Sequence, residues 1–276
     1  MPMSASNAVG VVSGRMDLLI LGGLVAASDL GYYSAAFQTA GIITIVLQGI
    51  ETVYAPIFSG HIDAANYIAL KEDYQRALRW AMLISSPAIM VFVIYPELVM
   101  RPFGDKYQGA ASILAILCIG QFFNIALGSA NAILILLGKT KIVLLISIAY
   151  VCITALFVIV GAYYWGAIGA AIGVVGAIMV SNIIRIYFVH KITKSHPFSL
   201  HYFKILIALI LSVSIGFASK AYLLYLGIVL FPVLFLIFIL LFGLHPEEKN
   251  PLKRFSRSSK EIKLALPYPC FELPGQ

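Results

Sequence analysis

Runs of about twenty apolar residues, parted by short polar links, recur along most of this chain, and no other feature constrains its fold as strongly. Eight runs are read, at about 7–27, 34–58, 79–100, 109–137, 141–163, 166–189, 203–222 and 225–243. Lipid offers no hydrogen-bond partner to open backbone, so each run is predicted to be a helix. The fold class is therefore all-α, a polytopic membrane protein of about eight transmembrane helices. Composition agrees: 61% of the residues are hydrophobic and 11% charged, against roughly 25% charged in soluble domains. A net charge of +7 would suggest nucleic acid in a soluble protein. Here it sits in links and tail, and no nucleic-acid partner is expected. The first apolar run has transmembrane length and lacks a basic leader, so it reads as a span rather than a signal peptide. Cys118, Cys152 and Cys270 follow no disulfide or zinc spacing, and no metal or cofactor is expected.

The lysines and arginines orient the spans. With the N-terminus in the cytoplasm, the inner segments hold Lys71, Arg76, Arg79, Lys139, Lys141, Lys191, Lys194, Lys204 and six basic residues of the tail. The outer segments hold Arg101, Lys106 and Lys220. Both termini are expected inside, and the basic tail can touch anionic lipid. The inner link "SGHIDAANYIALKEDYQRALRW" is expected to form a short amphipathic surface helix, while outer links such as "ASDLGYY" and "YYWGAIG" are brief.

Charges inside a bilayer cost about 2.5–3.5 kcal/mol each on insertion scales, which makes Arg15 and Asp17 candidates for function. Two residues apart on a helix is about 200° around the axis, so they do not share a face. Thr44, Gln48 and Glu51 do share one stripe, at i, i+4 and i+7. An Arg15–Glu51 pair is within reach, and mere neutralisation of two buried charges would look the same. Gln121, Asn124, Gly128 and Asn131 fall at i, i+3, i+7 and i+10, one face that suits either a polar cavity or helix–helix hydrogen bonds. Gly10 with Gly14, and Gly169 with Gly173, have the spacing of close helix packing. Pro87 frees a backbone carbonyl inside its span.

Four stretches, in order, resemble a known family. "GRMDLLILGGLVAASDLGYYSAAF" is similar to the opening of the C-terminal half of a polysaccharide flippase, with Asp17, Gly22, Gly31, Tyr32, Tyr33, Ser34 and Ala35 matching. "VIYPELVMRPFGDKYQGAASILAIL", "LLGKTKIVLLIS" and "YYWGAIGAAIG" resemble later segments of the same half, so the likeness covers about residues 8–190. That family belongs to the multidrug/oligosaccharidyl-lipid/polysaccharide exporter superfamily. The resemblance implies two six-helix bundles around a central cavity, in a transporter rather than an enzyme. Its job would be to move undecaprenyl-pyrophosphate-linked oligosaccharide, such as an O-antigen unit, across the inner (cytoplasmic) membrane by alternating access. Arg15, Gln48, Gln121, Asn124 and Asn131 are then the expected substrate-binding residues. Asp17 and Glu51 are expected to bind a coupling cation or proton, or to hold Arg15.

The resemblance begins at the family's seventh helix. Residues 1–190 are expected to form the C-terminal-lobe-like bundle, 191–244 two further helices, and 245–276 a basic, proline-containing cytoplasmic tail without packed structure. An N-terminal lobe or second subunit is an expected partner, beside the lipid-linked glycan and membrane lipids. Two alternatives stand beside this reading. One is a multidrug/cation antiporter, whose cavity would be more aromatic and acidic. The other is a non-transporting partner subunit. A glycan polymerase or ligase would need a long outer loop rich in Arg, His or carboxylates, and these links are short. Reporter fusions test the topology. Those after Gly31, Gly104 and Gly166 should report the outside, and those after Gly60, Lys139 and Lys194 the inside. An outside signal at Lys139 would overturn the eight-span reading.

Overall fold

The computed structural model describes residues 16–198 and 200–219. Among them the chain is helical, without strands. Its α-helices are α1 (Met16–Gly22), α2 (Ala27–Gly41), α3 (Thr44–Asp63), α4 (Tyr67–Ile94), α5 (Pro96–Met100), α6 (Ala111–Leu127), α7 (Ala130–Leu136), α8 (Thr140–Thr193) and α9 (Leu200–Ser219). Two 3₁₀ turns, Arg101–Phe103 and Asp105–Ala110, lead into α6. Four stretches are long and apolar enough to cross a membrane: Ala27–Asp63, Tyr67–Ile94, Asp105–Leu127 and Thr140–Thr193. The last breaks at Trp165 and Gly166, where Gly166 takes φ 59°, so it makes two antiparallel crossings, 140–164 and 167–193. The span expected at 225–243, and the tail, lie outside the described residues.

Two expectations change in detail. The inner link does not form its own surface helix. Asn66 caps α4 by accepting the Ala69 N–H at 3.2 Å, and residues 67–80 are the first turns of the span itself. The segment "ASDLGYY" is not a link either; α2 already begins at Ala27.

α6 is the central helix, packed on α2, α4 and the second crossing of α8. Buried apolar side chains form two layers. One gathers Tyr33, Met90, Ile94, Leu114, Cys118 and Val174. The other gathers Phe58, Tyr74, Leu78, Ile133, Val143 and Val189. Lys71, Lys139, Lys141, Lys191 and Lys194 lie at the end of the bundle beyond the second layer. The opposite end carries Arg101, Lys106 and the exposed Tyr163, Tyr164 and Trp165, the amphipathic rings that favour a membrane interface.

Glycine sets the closest helix contact. A Cβ on Gly161 would collide with the Gly169 carbonyl, one on Gly169 with the Gly161 carbonyl, and one on Gly173 would stand 2.5 Å from the Phe157 carbonyl oxygen. The Gly169/Gly173 spacing is thus the seam on which the two crossings of α8 meet. In α4, Pro87 cannot bond the Leu83 carbonyl, and the Ser86 hydroxyl donates to that oxygen instead at 2.8 Å. Since backbone cannot yield as a side-chain tip can, Gly169→Val should destabilise the bundle by at least the roughly 1–3 kcal/mol of an overpacked core. The check is the melting temperature in detergent, with Gly60→Val as the control; Gly60 is exposed on α3 with open space around its Cβ position, so little change is expected there.

Candidate functional site

The site begins with a broken helix. α6 ends at Leu127, and the chain restarts as α7 at Ala130, with Ser129 in the left-handed region at φ 60°. A Cβ on Gly128 would stand 2.6 Å from the Asn124 carbonyl and 2.8 Å from Leu47 Cδ2, so only glycine fits there. Two tyrosines complete the freed carbonyls. Tyr202 Oη of α9 donates to Ala126 O at 3.2 Å, and Tyr74 Oη of α4 donates to Gly128 O at 3.3 Å. Irregular backbone at this depth is tolerated only where protein or a polar cavity meets it. Glu51 of α3 lies within electrostatic reach of the Ser129 amide and hydroxyl, though that hydroxyl closes no hydrogen bond of full geometry.

A ladder of amides runs from the same place. Arg185 Nη1 donates to Asn182 Oδ1 at 3.3 Å, Asn182 Nδ2 to Asn124 Oδ1 at 3.1 Å, and Asn124 Nδ2 to Gln121 Oε1 at 3.3 Å. Every bond points away from the guanidinium. Glu51 and the Tyr150 hydroxyl are within electrostatic range of Arg185. Close contacts between basic and acidic side chains among the described residues include His61–Asp73, at 2.8 Å, and Arg76–Asp73, and none joins Arg185 to Glu51. Arg185 and Glu51 therefore influence each other without closing a salt bridge. Across Tyr150 lies Asp17, buried and accepting the Tyr33 hydroxyl at 2.7 Å. The whole polar belt sits where one apolar layer gives way to the other.

The candidate residues divide accordingly. Gln121 and Asn124 join the ladder, and Glu51 and Asp17 flank it. Asn131 does not continue their stripe, because the break at Gly128 and Ser129 puts it on a separate helix, half-buried. Gln48 is exposed on α3. Arg15 and its expected pairing with Glu51 lie outside the described residues. Arg185, Asn182, Tyr150 and Ser129 escaped the sequence reading. Asn182 and Arg185 stand at i and i+3 in an apolar run, a signal obscured because arginines near span ends usually reach for water.

The MatE family model matches residues 2–163, more than half of the chain. The chain belongs to the MatE family. Among its relatives, a Shigella flexneri protein named an O-antigen transporter is 30% identical over 174 residues, 62% of this chain and 40% of that protein. The teichuronic acid biosynthesis protein TuaB of Bacillus subtilis (strain 168) is 24% identical over 140 residues, 50% of this chain and 29% of that one. The MatE chain thus spans less than half the length of these relatives. A crystal structure of MATE in the bent conformation shares its fold, with a TM-score of 0.56 at 17% identity over 86% of this chain and 61% of that one. An outward-facing multidrug resistance MATE transporter gives the same TM-score at 17% identity, covering 85% and 60%. The protein is a multi-pass membrane protein of MATE fold.

Asn182 is the joint of the ladder. Asn182→Leu should take away the acceptor of Arg185 Nη1 and the donor to Asn124 Oδ1, and lower stability by about 1–3 kcal/mol. Melting in detergent checks this, and Gln48→Leu on the exposed face of α3 should leave the melting temperature unchanged.

Proposed function

We propose that this MatE chain is the C-terminal-lobe half of a transporter that moves undecaprenyl-pyrophosphate-linked oligosaccharide across the cytoplasmic membrane by alternating access. The observation that supports it most is Arg185, a half-buried guanidinium between two apolar layers, held by an amide and, among the described residues, not closed by a carboxylate. A guanidinium offers forked donors to phosphate oxygens. In this reading Arg185, with Arg15, holds the diphosphate. Gln121, Asn124, Asn131 and Gln48 meet sugar hydroxyls, and Asp17 and Glu51 carry the coupling ion or steady the arginines. Names of the relatives, O-antigen transporter and teichuronic acid biosynthesis protein, fit a glycan substrate. Residues 1–190 form the lobe, 191–244 add two helices, and 245–276 are the cytoplasmic tail, with both termini inside. The cavity then needs a second six-helix lobe, and the exposed face of α3 with Gln48 is the side we assign to it.

A multidrug/cation antiporter is the competing reading within the same fold. Its cationic substrates would be repelled by Arg185, which is why the glycan reading is preferred. The test uses cells in which the lipid-linked glycan accumulates unless the complete transporter is supplied. Arg185→Gln should reach the membrane at near wild-type level yet cut export by about tenfold or more, the worth of a charge-assisted phosphate contact. Arg185→Lys should keep part of the activity. Normal export by a stable Arg185→Gln protein, or efflux of cationic dyes by the wild type in place of glycan export, overturns the proposal.

A further inference from the structure

The lysine-rich end of the bundle holds a second cluster, which the membrane-interior site does not use. After α8 the chain folds back onto α4. Lys194 turns it through a left-handed conformation at φ 58°, and Ser195 Oγ donates to Tyr67 O at 3.3 Å. Gln75 Nε2 donates to the carbonyls of His196 and Phe198, at 3.1 and 2.9 Å. These bonds fix His196 between α4 and the end of α8. Its ring centroid lies 6.2 Å from that of His190, and Lys71 is within electrostatic range of it. Burial, and next the Lys71 ammonium, hold the His196 pKa below its ordinary value. His196 Nδ1 is buried and makes no hydrogen bond among the described residues. Neither Lys71 nor His190 forms an ion pair among them, and the nearby Asp73 is taken up by His61 and Arg76.

Three basic groups from three segments therefore converge without an ion-paired carboxylate among the described residues, an arrangement that an incoming anion would relieve. Beside them Phe198 and Phe203 stack with centroids 6.1 Å apart and planes 19° apart, and both are exposed. A lysine ammonium and two imidazoles adjoining an exposed phenyl pair at the end of membrane-crossing helices suit an amphiphile better than a free ion.

We propose that Lys71, His190 and His196 bind the phosphodiester headgroup of an anionic membrane lipid, with an acyl chain lying over Phe198 and Phe203. The site is independent of the transport reading, because none of these residues belongs to the interior ladder.

The experiment titrates the full chain in neutral detergent with phosphatidylglycerol and counts retained lipids by native mass spectrometry. Phosphatidylcholine and inorganic phosphate form separate arms. Phosphatidylglycerol should be retained over phosphatidylcholine, and Lys71→Gln should weaken its binding about fivefold, the worth of one interfacial cation. His196→Gln should weaken it further, Lys71→Arg should restore it, and Phe203→Ser should weaken phosphatidylglycerol but not inorganic phosphate. Lys139→Gln, at the same end but outside the cluster, should have no effect. Undiminished binding by Lys71→Gln protein of wild-type melting temperature overturns the site, and so does an equal loss on Lys139→Gln, which would mean diffuse attraction. Inorganic phosphate binding as tightly as phosphatidylglycerol overturns the lipid. Should His196→Gln fail to accumulate, Lys71→Gln decides alone.

Discussion

A guanidinium held inside a membrane bundle by an amide is the constraint on which the rest of this architecture turns. Arg185 needs a donor-accepting neighbour at its depth, and Asn182 supplies it. Asn182 in turn needs α6 close enough for Asn124 to accept its amide hydrogen. The two apolar layers above and below keep the belt at one level. Low dielectric inside makes each of these bonds matter, since water cannot replace a lost partner.

That level coincides with the break between α6 and α7, and the coincidence has a structural cause. Gly128 is pressed on by Leu47 and by its own helix's Asn124 carbonyl, so the chain turns there without a side chain. The carbonyls left by the turn are capped by tyrosines from α4 and α9. α9 is therefore bonded into the interior of the bundle. A rigid seam on the other side, Gly161 against Gly169, holds the two crossings of α8 at backbone contact and thereby sets the position of Asn182 and Arg185 further along the second crossing.

Parts of the site were legible because helical spacing alone carries them. Gln121 and Asn124 are three apart on an apolar helix, and they bond each other. Asp17 stood out as a charge in an apolar run, and it is buried in a short helix with the Tyr33 hydroxyl as a donor. The Gly169/Gly173 spacing announced a close approach that the backbone makes. Other parts were not legible. The stripe to Asn131 assumed an unbroken helix, and no local signal shows that Leu47 and Asn124 crowd Gly128 into a turn. Arg185 lies near a span end, where an arginine ordinarily reaches water, and only the neighbours on α3, α6 and the first crossing of α8 show it turned inward.

The sequence by itself determined that this is a membrane-crossing, all-helical MatE chain, because bilayer thickness and backbone hydrogen bonding leave no other solution for such apolar runs. It also set which end of the bundle gathers the lysines, because each link's charge is local to it. Tertiary structure alone decided which polar groups meet. Glu51, Ser129, Asn182 and Arg185 come from segments up to 134 positions apart, and their convergence depends on helix rotation and depth, which packing of the whole bundle sets.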